Sequence, residues 1–215
     1  SGIQSFNSYS LFKLFFDKQK TYDTLPQYTI PTLTLEGSSQ TAVFRQCMSL
    51  RDLIAQHPHS QDFSHEIILK DRYGAGGRNI YKFKQDDFRA ISHTLAAAPH
   101  MTFIIQPLIK FDRGFKYHNK FVSTDIRLIY LKGQIVSSYI RMAKSGDFRC
   151  NQHQGGSLAY LDLSAIPKSV IKQSRTIAKI LNKKSSLFTL DFLLSNSGQA
   201  YLLEGNTGPG LNWDP

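Results

Sequence analysis

The sequence predicts an α+β fold, and three observations carry that expectation. Strand-like runs are joined by tight turns more often than by helices: 66–84 around a glycine turn, 124–142 around Lys132-Gly133, and 187–206 around Ser195-Asn196-Ser197-Gly198. Segments of helical period stand between these hairpins, as in an α+β domain and unlike a doubly wound sheet. Finally, 215 residues of which 41% are hydrophobic and 20% charged suffice for a sizeable core in one large domain or two small lobes.

Taken in order, residues 8–25 have mixed helical character, and Ile30-Pro31-Thr32-Leu33-Thr34-Leu35 alternates like a short strand. Residues 47–56 predict a short helix that ends before Pro58. Glu66-Ile67-Ile68-Leu69-Lys70 predicts a strand running into Tyr73-Gly74-Ala75-Gly76-Gly77-Arg78, with extended character resuming over 79–84. Residues 86–97 put Phe88, Ile91 and Leu95 on one helical stripe. The apolar run Thr102-Phe103-Ile104-Ile105-Gln106 meets a breaker at Pro107. Two strands, 124–131 and 134–142, come next, then a helix from Pro167 to about Asn182 whose proline suits a first turn. Strands 187–194 and 199–206 close the chain, and there is neither an internal repeat nor a low-complexity segment.

No run approaches the roughly 18 apolar residues of a membrane span, and the start, Ser1-Gly2-Ile3-Gln4, has no secretory pattern. Cys47 and Cys150, far apart, form neither a disulfide framework nor a zinc pattern, which leads to an expectation of two structural thiols in a reducing cytoplasm. The formal net charge of +10 asks for an anionic partner, whether nucleic acid, membrane surface or phosphorylated small molecule. Residues 101–150 hold nine basic side chains against three acidic ones, dispersed through strands and not gathered in a tail. That distribution also describes a plain solvated basic face.

Three groups of residues carry chemistry. Lys70 ends a strand just before Gly74-Ala75-Gly76-Gly77, and glycines let backbone amides converge on phosphate oxygens beside a lysine charge. The order is that of neither a Walker loop nor a dinucleotide fingerprint, and alone it equally describes a hairpin turn. Glu204 and Asn206 share a strand face, which hairpin pairing extends to Asp191; three such oxygen donors suit Mg²⁺, although a capped strand end has the same letters. Arg127 and Arg141 on adjacent strands, with Arg149 and Asn151 in the loop before Gly155-Gly156, need carboxylate or phosphate partners. The chain's own Asp125 or Asp191 could serve.

In this order along the chain the residues closely resemble the ATP-grasp superfamily, particularly glutathione synthetase and the ribosomal-protein glutamate ligases. The matching stretches are Asp17-Lys18 with Thr21, Ile30-Pro31-Thr32, Ile67-Ile68-Leu69-Lys70 through Gly77, Gln106-Pro107-Leu108-Ile109, and Asp125-Ile126-Arg127. Arg141 with Arg149 and Asn151, Asp191-Phe192, and Glu204-Gly205-Asn206 leading to Pro209-Gly210 complete them. The resemblance implies two α+β lobes with antiparallel sheets gripping ATP, about 18–105 as the smaller, clamping lobe and about 106–215 as the larger. Lys18 (or Lys20) and Lys70 would meet ATP phosphates under the loop of Gly74, Gly76 and Gly77. Gln106, Pro107, Leu108 and Ile109 would receive adenine. Asp191, Glu204 and Asn206 would hold one or two Mg²⁺ (or Mn²⁺), while Arg141 and Asn151, assisted by Arg127, would meet the transferred phosphoryl group.

The implied activity is ATP-dependent, ADP-forming ligation of a small-molecule or peptide carboxylate to an amine through an acyl phosphate. An ATP-binding module without ligase activity is the alternative. A nucleic-acid binder would account for +10 but leaves Asp191, Glu204 and Asn206 without a purpose. Three departures stand out. Asp71 replaces a frequent proline, 112–123 is a longer stretch that could shape a substrate site, and the domain that normally precedes the grasp is expected to be absent. With the stop at Trp213-Asp214-Pro215, the resemblance leads to the expectation of a piece shortened at both ends.

Overall fold

The computed structural model describes residues 7–181 and 186–208. Two short helices begin it, α1 (Tyr9–Phe16) and α2 (Lys18–Thr24). Each starts where a side chain can accept a first-turn amide: Ser8 from Leu11 and Asp17 from Lys20. β1 (Leu33–Thr34), α3 (Gln40–Gln56), β2 (Phe63–Asp71), β3 (Ile80–Lys84), α4 (Phe88–Ala97) and β4 (Phe103–Ile109) follow. The second half contains the small hairpin β5 (Phe115–Tyr117) and β6 (Lys120–Val122), then β7 (Thr124–Leu131), β8 (Gln134–Met142), β9 (Ser157–Tyr160), α5 (Lys168–Leu181), β10 (Leu187–Leu194) and β11 (Ala200–Asn206).

Two antiparallel sheets organise these elements, one ordered β1-β4-β2-β3 and one ordered β11-β10-β7-β8-β9. Side-chain alternation gives each sheet one face for its own core. Ile67 and Leu69 of β2 join Val43, Cys47 and Leu50 of α3 and Ile91 and Leu95 of α4. In the other sheet Ile126, Leu128 and Tyr130 of β7 and Phe188, Leu190 and Phe192 of β10 pack on α1 and α5. A third cluster, including Ile30, Phe63, Ile109, Leu193 and Tyr201, joins the sheets. The opposite faces, with Ile68 and Lys70 on one sheet and Asp125, Arg127 and Asp191 on the other, are turned toward the space between them. The fold is α+β, as the hairpins predict.

Several expectations need correction. The helix expected at 47–56 begins seven residues earlier, because Ser39 caps it and the stripe of Val43, Cys47 and Leu50 is diluted by polar neighbours. Pro107 does not break its strand: β1 pairs with β4 only at Ile104 and Ile105, so Pro107 lies where that side of β4 has run out of partner. The lobe boundary expected at 105/106 falls inside β4. The long stretch 112–123 folds into the β5–β6 hairpin, whose turn residues His118 and Asn119 both have positive φ. Strand β9 was not anticipated. Asn182, Pro209-Gly210 and Trp213-Asp214-Pro215 lie outside the described residues.

Candidate active site

The wall contributed by the first sheet is cationic. Lys70, near the end of β2, is 5% exposed and its Nζ donates to the Tyr22 hydroxyl at 2.7 Å. Burial pushes this ammonium down to about 7, Lys18 adds to the effect, and Glu204 across the cleft partly offsets it. Lys18 opens α2 and gives its Nζ protons to the carbonyls of Gly74 and, at 3.4 Å, Arg72. Arg72 is itself clamped by Asp17, Nε to Oδ1 at 2.6 Å and Nη2 to Oδ2 at 2.7 Å, so α2's cap also fixes the entrance of the glycine loop. Gly76 and Gly77 have φ of 69° and 73°. A Cβ on Gly77 would stand 2.6 Å from Asn151 Oδ1, so the loop reaches the opposite wall only because this residue has no side chain.

Between the walls runs the end of β4. Gln106 is buried with its Nε2 donating to Thr32 Oγ1 at 2.6 Å, and it runs along the cleft with Pro107, Leu108 and Ile109. Ile30, Ile68, Leu193 and Leu203 add apolar surface there. A flat apolar group fits this end and an anion fits the other.

The second sheet supplies a neutralised network. Arg127 makes a two-pronged ion pair with Asp191, Nε to Oδ1 at 2.6 Å and Nη2 to Oδ2 at 2.5 Å, and its Nη1 donates to the Tyr139 hydroxyl at 3.2 Å. Arg141 grips both oxygens of Asp125 at 2.8 Å and also donates to Asp191 Oδ2 at 2.8 Å. Burial opposes charge on both guanidiniums, but the facing aspartates raise their affinity for the proton. Burial likewise works against ionised Asp191, and Arg127 and Arg141 outweigh it, holding the carboxyl below its usual range. The partners that the sequence offered, Asp125 and Asp191, do take up these arginines. Among the described residues Arg141 Nη1 makes no hydrogen bond, and Arg141 lines the cleft.

Glu204 reaches this wall through a bulge. Asp191 opposes Glu204 while Phe192 opposes Leu202, so Leu203 is the extra residue and the alternation of β11 resets behind it. Leu203 and Glu204 therefore both face the cleft, Asn206 follows on Glu204's face, and its Nδ2 donates to Glu204 Oε1 at 3.3 Å. Gly205 points the other way, where a Cβ would stand 2.3 Å from the Phe15 ring.

One cleft, with about 840 Å³ of empty space partly open to solvent, is thus lined by Lys18, Lys70, Gly74, Gly76, Gly77, Gln106, Pro107, Leu108, Ile109, Arg141, Asn151 and Glu204. Arg127 and Asp191 lie under its floor, and Asn206 is beside Glu204 but outside the lining. Sequence reading did not single out Tyr22, Arg72 or Phe148. Only the fold brings Tyr22 to Lys70, whereas Asp125, two residues before Arg127 on the same face, was legible from period two.

The donors fit a hard divalent cation. Among the described residues no three of His, Cys, Asp and Glu form a ready cage. Mg²⁺ needs only one or two carboxylates when phosphates and waters complete its shell. Glu204, 25% exposed at its side chain, and the Asn206 amide provide this beside Asp191, its cross-strand neighbour.

Comparison with known proteins agrees with this geometry. Residues 16–213 match the model of the RimK-like ATP-grasp domain. A probable alpha-L-glutamate ligase of Legionella pneumophila (strain Corby) is 34% identical over 147 residues, covering 67% of this chain and 39% of the relative. One from Maridesulfovibrio salexigens is 35% identical over 88 residues, 41% of this chain and 27% of the relative. The chain thus spans well under half the length of these curated relatives. In fold it is similar to D-cycloserine synthetase DcsG, with TM-score 0.61 at 17% identity over 96% of this chain and 67% of that one. The D-alanine–D-alanine ligase of Bacillus anthracis gives TM-score 0.61 at 16% identity, over 93% and 59%. The fold is ATP-grasp, and the chain belongs to the RimK-like ATP-grasp family.

Proposed function

We propose that the chain forms the ATP- and Mg²⁺-dependent core of a carboxylate–amine ligase. The observation that carries this reading is the meeting, across one cleft, of a lysine-and-glycine wall with a wall bearing Arg141, Asn151 and Glu204. A carboxylate does not condense with an amine in water unactivated. Attack of the carboxylate oxygen on the ATP γ-phosphorus expels ADP and gives an acyl phosphate. Attack of the amine on the acyl carbon then releases phosphate and a proton and leaves the amide. The chain's part is positioning and charge neutralisation. Lys18 and Lys70 hold phosphate oxygens, the backbone of Gln106 to Ile109 receives adenine, and Arg141 Nη1 and Asn151 meet the moving phosphoryl group. Mg²⁺ on Glu204 and Asn206, with Asp191 beside them, supplies neutralisation of phosphate charge when bound.

In this reading residues of about 18–105, completed by the rest of β4, clamp nucleotide against residues of about 106–215. The glycine loop keeps water from the acyl phosphate. Substrates are a small-molecule or peptide carboxylate and an amine; the name of the Legionella relative makes L-glutamate the first amine to try. The test is ADP release from Mg-ATP, screened over amino acids and short peptides. Release that rises only when both a carboxylate and an amine are present supports ligation. ATP binding with no such dependence in any pairing leaves a nucleotide-binding module and overturns the ligase reading.

A further inference from the structure

Tyr22 is 3% exposed on α2, outside every motif the function uses, and its hydroxyl sits between the two sheets. It donates to the Leu203 carbonyl at 2.6 Å and accepts from Lys70 Nζ at 2.7 Å. A phenol has a single proton. With that proton committed to Leu203, only lone pairs face Lys70, and the ammonium has to be the donor. One of its three N–H bonds is thereby fixed, and the other two remain for a ligand. Leu203 is the bulged residue of β11, directly before Glu204, and a bulged residue is left out of the strand ladder. Its carbonyl is therefore an anchor set by the same irregularity that turns Glu204 into the cleft.

We propose that Tyr22 is a positioning residue for nucleotide binding, whose hydroxyl, seated on the Leu203 carbonyl, holds the Lys70 ammonium in the orientation that meets a phosphate. The proposal rests on the reading of Lys70 as a phosphate contact. It adds that the cation of one sheet is registered against the strand that carries Glu204 on the other, through one side chain. Without the hydroxyl, Lys70 loses its Tyr22 acceptor in a buried place and its long stem is free to take other rotamers.

A residue that only fills space or satisfies Leu203 would act on ATP binding independently of Lys70, and a double-mutant cycle separates the two. ATP dissociation constants are measured for the wild type, Tyr22→Phe, Lys70→Ala and the double variant, with thermal midpoints alongside. Tyr22→Phe is expected to weaken ATP binding about tenfold, as for one hydrogen bond to a charged group, and to have almost no effect when Lys70 is already alanine. The alkaline limb of ATP binding should also move to lower pH, because an ammonium without its acceptor gives up its proton sooner. Lys18 and Glu204, the other charges that act on Lys70, are unchanged in this comparison. An equal loss in both backgrounds, or unchanged affinity and pH limb in Tyr22→Phe, overturns the role of Tyr22. Unchanged affinity in Lys70→Ala instead overturns the phosphate reading on which it rests. If Tyr22→Phe does not fold, 3-fluorotyrosine placed at position 22 keeps the packing and weakens the acceptor oxygen. A loss of ATP affinity confined to the Lys70 background supports the proposal, and equal affinity in every background overturns it.

Discussion

The two walls of the cleft hold positive charge in opposite ways. On the second sheet Arg127 and Arg141 are each gripped by aspartates at 2.5–2.8 Å, a network of two arginines and two aspartates at and under the floor. On the facing wall Lys18 of α2 and Lys70 of β2 meet carbonyl and hydroxyl oxygens, and among the described residues neither pairs with a carboxylate within salt-bridge distance. Burial without a counter-ion is costly, and Lys70, pushed down to about 7, registers that cost. The contrast assigns the work. In the proposed function the paired wall would be a scaffold that aims Arg141 and Glu204, and the unpaired wall the part an anionic ligand would complete. Changes in the first should be read in stability and changes in the second in affinity.

The largest effect is expected from breaking the scaffold. Asp191→Ala leaves Arg127 with no two-pronged partner and removes one of Arg141's acceptors, all below the surface. Removing one member of a buried ion pair costs about 3–5 kcal/mol. Urea unfolding of the variant is expected to show a loss of that size, and a loss below about 1 kcal/mol would mean the network is dispensable.

Next come the lysines. Lys70→Ala should weaken ATP binding by about 1.5–3 kcal/mol while leaving the fold intact, since no carboxylate is stranded by it. The pH dependence gives a second reading. With Lys70 as the proposed phosphate contact, ATP would favour its charged form, so affinity should fall as pH rises past about 7, and this slope should disappear in Lys70→Ala. In the nucleotide-free protein the sign reverses. The unfolded chain holds the Lys70 proton up to about its ordinary 10.5, so stability from this group increases between about 7 and 10.5. Calorimetric titrations across pH 6.5–9 test the first sign and chemical unfolding over the same range tests the second. Smaller again is the metal effect. Withdrawing Mg²⁺ with EDTA should weaken ATP binding about tenfold, roughly 1.4 kcal/mol, and Glu204→Gln should remove most of that dependence. Equal affinity with and without EDTA would sink the metal assignment.

Much of this was legible in the sequence because it is local. The three hairpins announced themselves by alternation and turn residues, and Asp125 and Arg127, two apart on β7, had to share a face. The cost of burying a lone guanidinium asks for carboxylate or phosphate partners, and Asp125 or Asp191 is on offer as the former. What was not legible is non-local or hidden by neutral composition. Tyr22 reaches Lys70 and Leu203 only through the packing of α2 against both sheets. Pro107 read as a breaker because a sequence does not tell which edge of a strand lacks a partner. Glu204 and Asn206 were placed on Asp191's face by simple period two. The bulge at Leu203, which makes that placement compatible with Leu202 in the core, has no signature in Tyr201-Leu202-Leu203-Glu204.

The smallest expected effect tests whether position, and not charge in general, separates the walls. Lys82 on β3 belongs to the same sheet as Lys70, but it has a carboxylate partner, Glu66, at 3.2 Å, and both side chains are 40% exposed. Water already solvates both groups, so their attraction is screened and their ordering costs entropy. Exposed pairs of this kind contribute about 0.2–1 kcal/mol. Glu66→Gln should therefore lower stability by no more than that, and part of even this loss should vanish in 0.5 M salt, where the screening length is a few ångströms. Because Glu66 and Lys82 are outside the cleft lining, ATP affinity should stay within about twofold of wild type, less than 0.5 kcal/mol. Unfolding curves at low and high salt, with one ATP titration, measure both. A loss of ATP affinity as large as that from Lys70→Ala would mean that binding responds to the overall charge of the first sheet. The distinction between its buried, unpaired Lys70 and its exposed, paired Lys82 would then fail.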